Sequence, residues 1–372
     1  MAGKKSNKFQ RLIVPGLIFQ SIFIAGGYGT GRELAEFFFP YGSLGGLIAM
    51  CTVTLLSLSI VCAATFEFAR VFKLYDYRSF FKKLIGPFWV LFEIAYLVVL
   101  LLVLAVCIAA AGSNLKGVFH VSRWIGVILL SAGVIFLILK GTEMLKNVMS
   151  FWSYVLYAVY ILFMVLVFVH FGGAISEQLT VIKEIKPGWL VGGASYAFYN
   201  LACVVFFLFV AKDFESRGEA LASGLIAGVI GIVPGIMLFL TMMIQYPAVV
   251  TAELPVNLVF DKLNAVANTR WLQVIFQIVL FGTFIETASG FIKAATDRLE
   301  GQFCTEANPR KWVRPVAVII AVLLGIIVAQ FGLIPLIAKG YGTMCWVFLI
   351  VYIVPLLTLG IYKIVKQGKT AA

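Results

Sequence analysis

Residues Gly26–Glu33 read GGYGTGRE and lie inside the first apolar span of the chain. Glycine costs a helix about 1 kcal/mol per residue relative to alanine, and a charged side chain at membrane depth is also costly. We therefore predict that the first span is broken here. Because unwound backbone persists at membrane depth only where protein buries it or a wet cavity lines it, the break indicates a binding site.

The composition defines the class of protein. Of 372 residues, 62% are hydrophobic and 12% are charged, which is about half the charge of a soluble domain. The apolar runs have ~20 residues or more, which favours helices over the short alternating strands of a barrel. We expect one all-α integral membrane domain, residues 1–372, with no cleavable signal peptide. The six cysteines have no C-x-x-C pair and predict neither disulfides nor a metal site.

Ten membrane spans can be placed along the chain. They cover about 11–39, 43–69, 87–111, 122–140, 148–171, 188–211, 219–245, 271–295, 313–331 and 334–364. A charged, aromatic stretch at 74–85 is expected to lie along the surface, and 249–269 is too polar to span and is expected to form a short helical lid. Ten spans divide into two halves of five, 1–171 and 188–364, and an odd number per half gives inverted repeats.

The basic residues give the orientation. With the N-terminus inside, 21 of the 29 Lys and Arg residues fall in inside segments and six in outside segments. This asymmetry predicts a cytoplasmic-membrane protein with both termini cytoplasmic. It also accounts for the net charge of +12 without a nucleic-acid partner. Composition does not define an oligomeric state.

Span six is the predicted counterpart of span one, so it should also be interrupted. It contains Gly192, Gly193 and Ser195, with Asn200 near its midpoint. A buried Asn needs several hydrogen-bond partners, which backbone freed by a break could supply. The alternative is ordinary helix packing, in which the small residues permit close approach and Asn200 bonds to a neighbouring helix.

Charged residues at membrane depth suggest a gate on the outer side. Arg32 and Glu33 follow the glycines directly, and Glu36 lies one helical turn from Arg32. One interpretation is a local Arg32–Glu36 pair. Another pairs Glu33 or Glu36 with Lys339, in the outer part of span ten. In a third, Lys339 only extends to the membrane interface.

Span eight carries a second polar face. Thr283, Glu286, Thr287 and Gly290 share one side of a helix. A carboxylate at the midplane needs a cation, a partner or a proton. We therefore place a coupling ion, Na⁺ or H⁺, at Glu286, Thr287 and Thr283; the alternative is a structural pair between Glu286 and Lys339 or Arg32.

The glycine-rich break, Pro40 at the end of span one, the polar break in span six and the hydroxyls of span eight resemble the LeuT fold of the amino acid–polyamine–organocation (APC) superfamily. The chain also resembles the YkvI-like group of bacterial membrane proteins over nearly its full length. The resemblance implies that substrate binds between spans one, three, six, eight and ten. The implied substrate residues are Gly26, Gly27, Tyr28, Gly29, Tyr199 and Asn200. It also implies that Na⁺, where used, is held by carbonyls around Gly26 and Gly29 together with Thr287 and Glu286.

These features favour a secondary active transporter that works by alternating access. A broken span presents a helix N-terminus and a helix C-terminus, which suits an amino acid or a similar small zwitterion or amine. A ligand-sensing receptor on the same fold, as in spore-germination proteins, is the alternative. No nucleotide loop, nucleophile motif or metal-spaced histidine predicts an enzyme, and no cofactor beyond Na⁺ or H⁺ is expected.

Overall fold

The computed structural model describes residues 7–23, 26–140, 142–303 and 312–371, which form helices and turns without any strand. Helices occur at all ten predicted span positions. Within the described residues, seven helices are long and apolar enough to cross a membrane, and an eighth span is a pair of helices bent by 63°. The remaining two positions hold a shorter apolar helix, Val313–Ala329, and the divided first span.

Span one consists of three pieces, Lys8–Phe23, Gly26–Gly29 and Arg32–Phe37. Span six consists of Trp189–Leu201 and the 3₁₀ helix Val204–Asp213. The other spans, from two to five and from seven to ten, are Ser43–Phe72, Trp89–Phe119, Arg123–Lys140, Thr142–Glu177, Arg217–Met242, Arg270–Phe303, Val313–Ala329 and Leu333–Gln367. The prediction that spans one and six are broken is confirmed.

Several helices are longer than predicted, among them span five, which covers Thr142–Glu177. Span three continues past residue 111 to Phe119, and span eight continues past residue 295 to Phe303. The extra turns of span three are held on the predicted outer side, where Ser113 donates to Glu253 at 2.6 Å and the Asn114 amide donates to the Gln277 side chain at 2.9 Å. Hydropathy marks only the apolar part of a helix, so it underestimated this span.

The short helix Tyr77–Ile85 corresponds to the charged stretch predicted at 74–85. Asp76 caps it by accepting from the backbone N–H of Ser79 at 2.9 Å, which satisfies one of the free N–H groups at a helix start. Phe80, Phe81 and Leu84 are buried, whereas Lys82 and Lys83 are exposed. The helix therefore covers the core with one face and presents basic groups with the other.

Close backbone contact between spans two and seven forms the frame around span one. A Cβ added to Gly224 would collide with the backbone of Ala63, and one added to Gly228 would collide with Ser59. Small residues of this kind let membrane helices approach closely. The first piece of span one packs on span seven, where Gly16 lies against the Ile230 side chain.

Candidate functional site

The break in span one depends on glycine at two places. Gly31 has φ of 79°, a left-handed conformation that side chains rarely adopt. A Cβ on Gly29 would lie 2.5 Å from a methyl carbon of Leu280 in span eight. Thr30 connects the two sides of the turn, because its hydroxyl donates to the Gly27 carbonyl at 2.8 Å and accepts from the Arg32 N–H at 3.2 Å.

The break in span six follows Asn200 directly. The Asn200 amide donates to the carbonyl of Tyr196, one turn earlier, at 2.9 Å, and the Asn200 carbonyl accepts from the N–H of Cys203 at 3.0 Å. The break and the packing interpretation both apply to this span, since Gly193 accepts a bond at 2.9 Å from the Thr54 hydroxyl of span two. Among the described residues, the Asn200 side chain thus bonds to its own helix and not to a neighbouring one.

Glu33 and Tyr199 join the two broken spans. The Tyr199 hydroxyl donates to the Glu33 carboxylate, and the main-chain N–H of Tyr28 also donates to it. Glu33 is 3% exposed. Its other oxygen lies against Gly27, where any side chain would collide with it. The carboxylate therefore folds back onto the break of its own span while it contacts the other broken span.

Aromatic rings pack against this pair on the predicted outer side. The Tyr199 ring stacks on Tyr341 of span ten at a centroid distance of 4.8 Å and on Phe37 of span one at 5.5 Å. Tyr196 meets Tyr199 edge-on at 5.7 Å. Three spans thus contribute rings to one layer above Glu33.

An outer cavity of about 440 Å³ lies next to this layer. It is lined by side chains and backbone from spans one, six and ten, namely Glu36, Phe37, Tyr41, Gly192, Ser195, Ala338, Lys339, Gly342, Thr343 and Trp346. Phe37 belongs both to the cavity wall and to the aromatic stack. The stack and the cavity therefore adjoin at Phe37.

The predicted gate residues are arranged differently from the Glu33–Lys339 pair. Arg32 forms the local pair with Glu36, at 2.5 Å, and donates to the carbonyls of Val250 and Ala252 at 2.8 Å each. Glu33 bonds to Tyr199, and Lys339 is an exposed residue at the outer cavity. The sequence predicts that Glu33 lies at membrane depth, but it does not predict that the Glu33 side chain faces span six.

A lid covers spans one, three and eight on the predicted outer side. Its helix is Pro255–Val266, within the polar segment for which a short helical lid was predicted. The N–H of Val256 donates to the Thr30 carbonyl at 3.2 Å. The Gln277 amide of span eight donates to Asn257 at 2.5 Å. Together with Arg32, these bonds hold the lid onto the outer half of span one.

Within the part of the chain that the structure describes, the span-eight residues interact with their own helix and with span five. Thr283 donates to the Val279 carbonyl of its own helix at 3.0 Å. Glu286 and Thr287 are half-buried, and Glu286 interacts electrostatically with Tyr157 of span five. The described residues contain no group of three or more His, Cys, Asp or Glu able to hold a metal.

One predicted sodium ligand already has a hydrogen-bond donor. The carbonyl of Gly29 accepts from the Tyr160 hydroxyl of span five at 2.5 Å. Gly26 belongs to the helical turn Gly26–Gly29, and Tyr28 is buried with a hydroxyl that has no hydrogen-bond partner among the described residues. The turn is therefore anchored from span five, by a residue that was not among the predicted site residues.

A contact on the predicted cytoplasmic side was also missed. The Arg11 guanidinium donates to both carboxylate oxygens of Glu219, at 3.1 and 2.9 Å, and lies 3.2 Å from Glu215. It fixes the start of span one to the start of span seven. No local pattern could reveal a pair 208 residues apart.

Tyr341 of the aromatic stack was also not among the predicted site residues. The sequence does mark it, because Gly-Tyr-Gly-Thr occurs at both 27–30 and 340–343.

Comparison with solved structures places the chain in the LeuT fold. MhsT in complex with L-phenylalanine has a TM-score of 0.57 and 17% identity, covering 96% of this chain and 98% of that one. A manganese transporter variant from Eremococcus coleocola has a TM-score of 0.61 and 15% identity, covering 92% and 77%. Mhp1, a nucleobase-cation-symport-1 family transporter, has a TM-score of 0.58 and 15% identity, covering 89% and 74%.

No protein-family model and no curated protein matches the chain. The structural likenesses, all well below 25% identity, establish an all-α membrane protein of the LeuT fold. The similar structures are of transporters and not of enzymes, which agrees with the prediction that this chain is not an enzyme.

Proposed function

We propose that this chain is a secondary active transporter that takes up an amino acid or a similar small zwitterion or amine, coupled to an ion. The observation that carries the proposal is the Glu33–Tyr199 hydrogen bond, which joins the two broken spans at a buried polar point. Keeping a carboxylate at membrane depth is expensive. Such a residue is expected where a polar solute or an ion must be held during transport.

Alternating access requires that the site be closed at one end while it opens at the other. On the predicted outer side, Arg32 and the lid helix Pro255–Val266 close the region above the break in span one. On the predicted cytoplasmic side, Arg11 and Glu219 close the region below it. Both contacts consist of hydrogen bonds that rearrangement of span one can break, which supports a transport cycle of two inverted five-span halves.

The substrate class rests on the chemistry of the broken spans. The second half of span six begins near Cys203 and presents a helix N-terminus, while the Glu33 carboxyl offers oxygen atoms that accept hydrogen bonds. A zwitterion or amine matches this combination. MhsT, a structure of the same fold, was solved with L-phenylalanine bound. The proposal also includes membership of the APC superfamily and of the YkvI-like group.

The location follows from the charge distribution. We propose a cytoplasmic-membrane protein with both termini inside, in contact with lipid and with a small-molecule substrate.

Two measurements test transport with the purified full-length chain. Thermal stability in detergent is measured with amino acids and amines, with and without Na⁺ and at two pH values, since a bound ligand stabilises the folded state by mass action. The stabilising compounds are then tested for flux into liposomes. We expect stabilisation and flux by the same compound. Stabilisation without flux would contradict transport and favour the receptor alternative.

A further inference from the structure

Glu33 is a buried carboxylate without a basic partner among the residues that the structure describes. No described Lys, Arg or His lies within 4.0 Å of its oxygens. Arg32, its neighbour in sequence, is bound to Glu36 and to two carbonyls of the outer loop. The positive charge next to Glu33 in the sequence is therefore used elsewhere.

The groups around Glu33 are neutral hydroxyls and a thiol. The titratable groups that face it from spans one, six and ten are Tyr28, Tyr196, Tyr199, Cys203 and Tyr341. Tyr199 and the Tyr28 N–H supply hydrogen bonds, but none of the five supplies a positive charge at neutral pH. An ionised carboxylate in such surroundings is strongly disfavoured unless a cation lies beside it. The alternative is that a proton binds and makes the carboxyl group neutral.

The geometry leaves little scope for a metal cation in place of a proton. One Glu33 oxygen lies against Gly27 and the other accepts from Tyr199. Of the predicted sodium ligands, the Gly29 carbonyl already accepts a hydrogen bond from Tyr160. Hard cations need several oxygen ligands around them, whereas a proton needs one oxygen and no added volume.

We propose that the coupling ion is a proton and that Glu33 is the residue that binds it, a specification that rests on the transport function proposed above. Proton binding forms one O–H bond on the carboxylate and makes the group neutral, so the two broken spans can close around it. Proton release breaks that bond and leaves an anion that needs water. The ionised state therefore favours an arrangement in which Glu33 is open to solvent.

Infrared spectroscopy of the full-length chain in lipid tests proton binding without any substrate. The probe is the carbonyl stretch of a protonated carboxyl, followed during a pH titration. We expect a band at neutral pH that Glu33→Gln removes. Tyr199→Phe should retain the band at a shifted frequency, because the carboxyl loses its hydrogen-bond donor.

Two further variants make the assignment specific. Glu67→Gln is the matched control, because Glu67 is buried but paired with Arg70 at 2.8 Å, and it should leave the band unchanged. Glu286→Gln tests the alternative coupling site. Absence of a neutral-pH band, its survival in Glu33→Gln, or its loss in Glu286→Gln would each overturn the proposal.

Transport separates this inference from the function on which it rests. Liposomes are given a ¹⁴C-labelled mixture of the twenty amino acids or ¹⁴C-methylamine under an imposed pH gradient or Na⁺ gradient. We expect accumulation driven by the pH gradient, and a Glu33→Gln protein that exchanges label but no longer accumulates it. Flux driven by Na⁺ alone would overturn the proton assignment while it supports transport. Exchange by neither protein would contradict the transport function itself, whatever the infrared result.

Discussion

Arg32 and Glu33 are adjacent in the sequence, but their side chains hold different parts of the molecule. Arg32 donates to the carbonyls of Val250 and Ala252, in the loop that leads to the lid helix. Glu33 accepts from the Tyr199 hydroxyl of span six. A movement of the outer half of span one must therefore disturb the lid and the second broken span together.

Replacement of Arg32 should loosen the lid. Its side chain is 1% exposed, and Arg32→Ala leaves two carbonyls without a donor and Glu36 without its partner. We expect a loss of about 3 kcal/mol, near the lower end for a broken buried pair because Glu36 is partly exposed. Unfolding in detergent measures this loss. Lys186→Ala, which breaks an exposed pair with Glu184, is the control and should cost at most about 1 kcal/mol. Equal losses in the two variants would show that Arg32 does not hold the lid.

The two Gly-Tyr-Gly-Thr motifs offer a matched comparison of glycines. A Cβ on Gly29 would press on Leu280 and on the Tyr160 hydroxyl, whereas nothing lies within 4 Å of a Cβ on Gly342. We expect Gly29→Ala to reduce ligand-induced stabilisation or flux at least tenfold. Gly342→Ala, at the same motif position, should retain both within about twofold. Equal tolerance at the two positions would show that the tight turn is not required.

The Arg11–Glu219 contact is expected to keep the cytoplasmic end of span one closed. Arg11→Ala should raise the rate of amide hydrogen exchange in Lys8–Phe23, because the helix loses its attachment to span seven. The double variant Arg11→Glu with Glu219→Arg should restore much of the protection. If exchange in this helix is unchanged by Arg11→Ala, the pair does not hold the inner end.

Acid should loosen the segment that links spans five and six, which contains Glu184 and bonds to Tyr246 at the end of span seven. The hydrogen bond from Tyr246, and then Lys186 at 3.1 Å, hold the pKa of Glu184 below its ordinary value. A carboxyl with a lowered folded-state pKa stabilises the protein above its ordinary pKa, and this contribution is lost as the pH falls toward the folded-state pKa. We expect the unfolding midpoint to fall on acidification below about pH 5, and Glu184→Gln to reduce that dependence.

Tyr246→Phe provides the check on the cause of the Glu184 effect. It should reduce the acid dependence as Glu184→Gln does, and the double variant should add little, because the two groups share one hydrogen bond. Additive effects would assign the dependence to other carboxyl groups.

The sequence predicted the breaks better than the contacts across them. Glycine content and charge marked span one, and the count of ten spans pointed to span six, where Asn200 marks the position within a few residues. Glu33 and Tyr199 are both predicted site residues, but Glu33 is predicted for the gate and Tyr199 for the substrate site. Hydropathy gives the depth of a residue, whereas its partner depends on helix rotation and tertiary packing. The sequence therefore leaves a local Arg32–Glu36 pair and a pair of Glu33 or Glu36 with Lys339 as alternatives, and the structure contains the local pair. Tyr160 and Arg11 act across more than a hundred residues, and no local pattern identifies their partners.

Accessibility of Cys203 tests alternating access most directly. This partly exposed native residue lies at the break in span six and interacts electrostatically with Glu33. With the other five cysteines replaced, the full-length chain in liposomes is treated with a membrane-impermeant thiol reagent from each side. We predict that Cys203 reacts from both sides, that Arg32→Ala favours the outer reaction and Arg11→Ala the cytoplasmic one, and that a stabilising ligand suppresses both. Reaction from one side only, in all three proteins, would contradict alternating access.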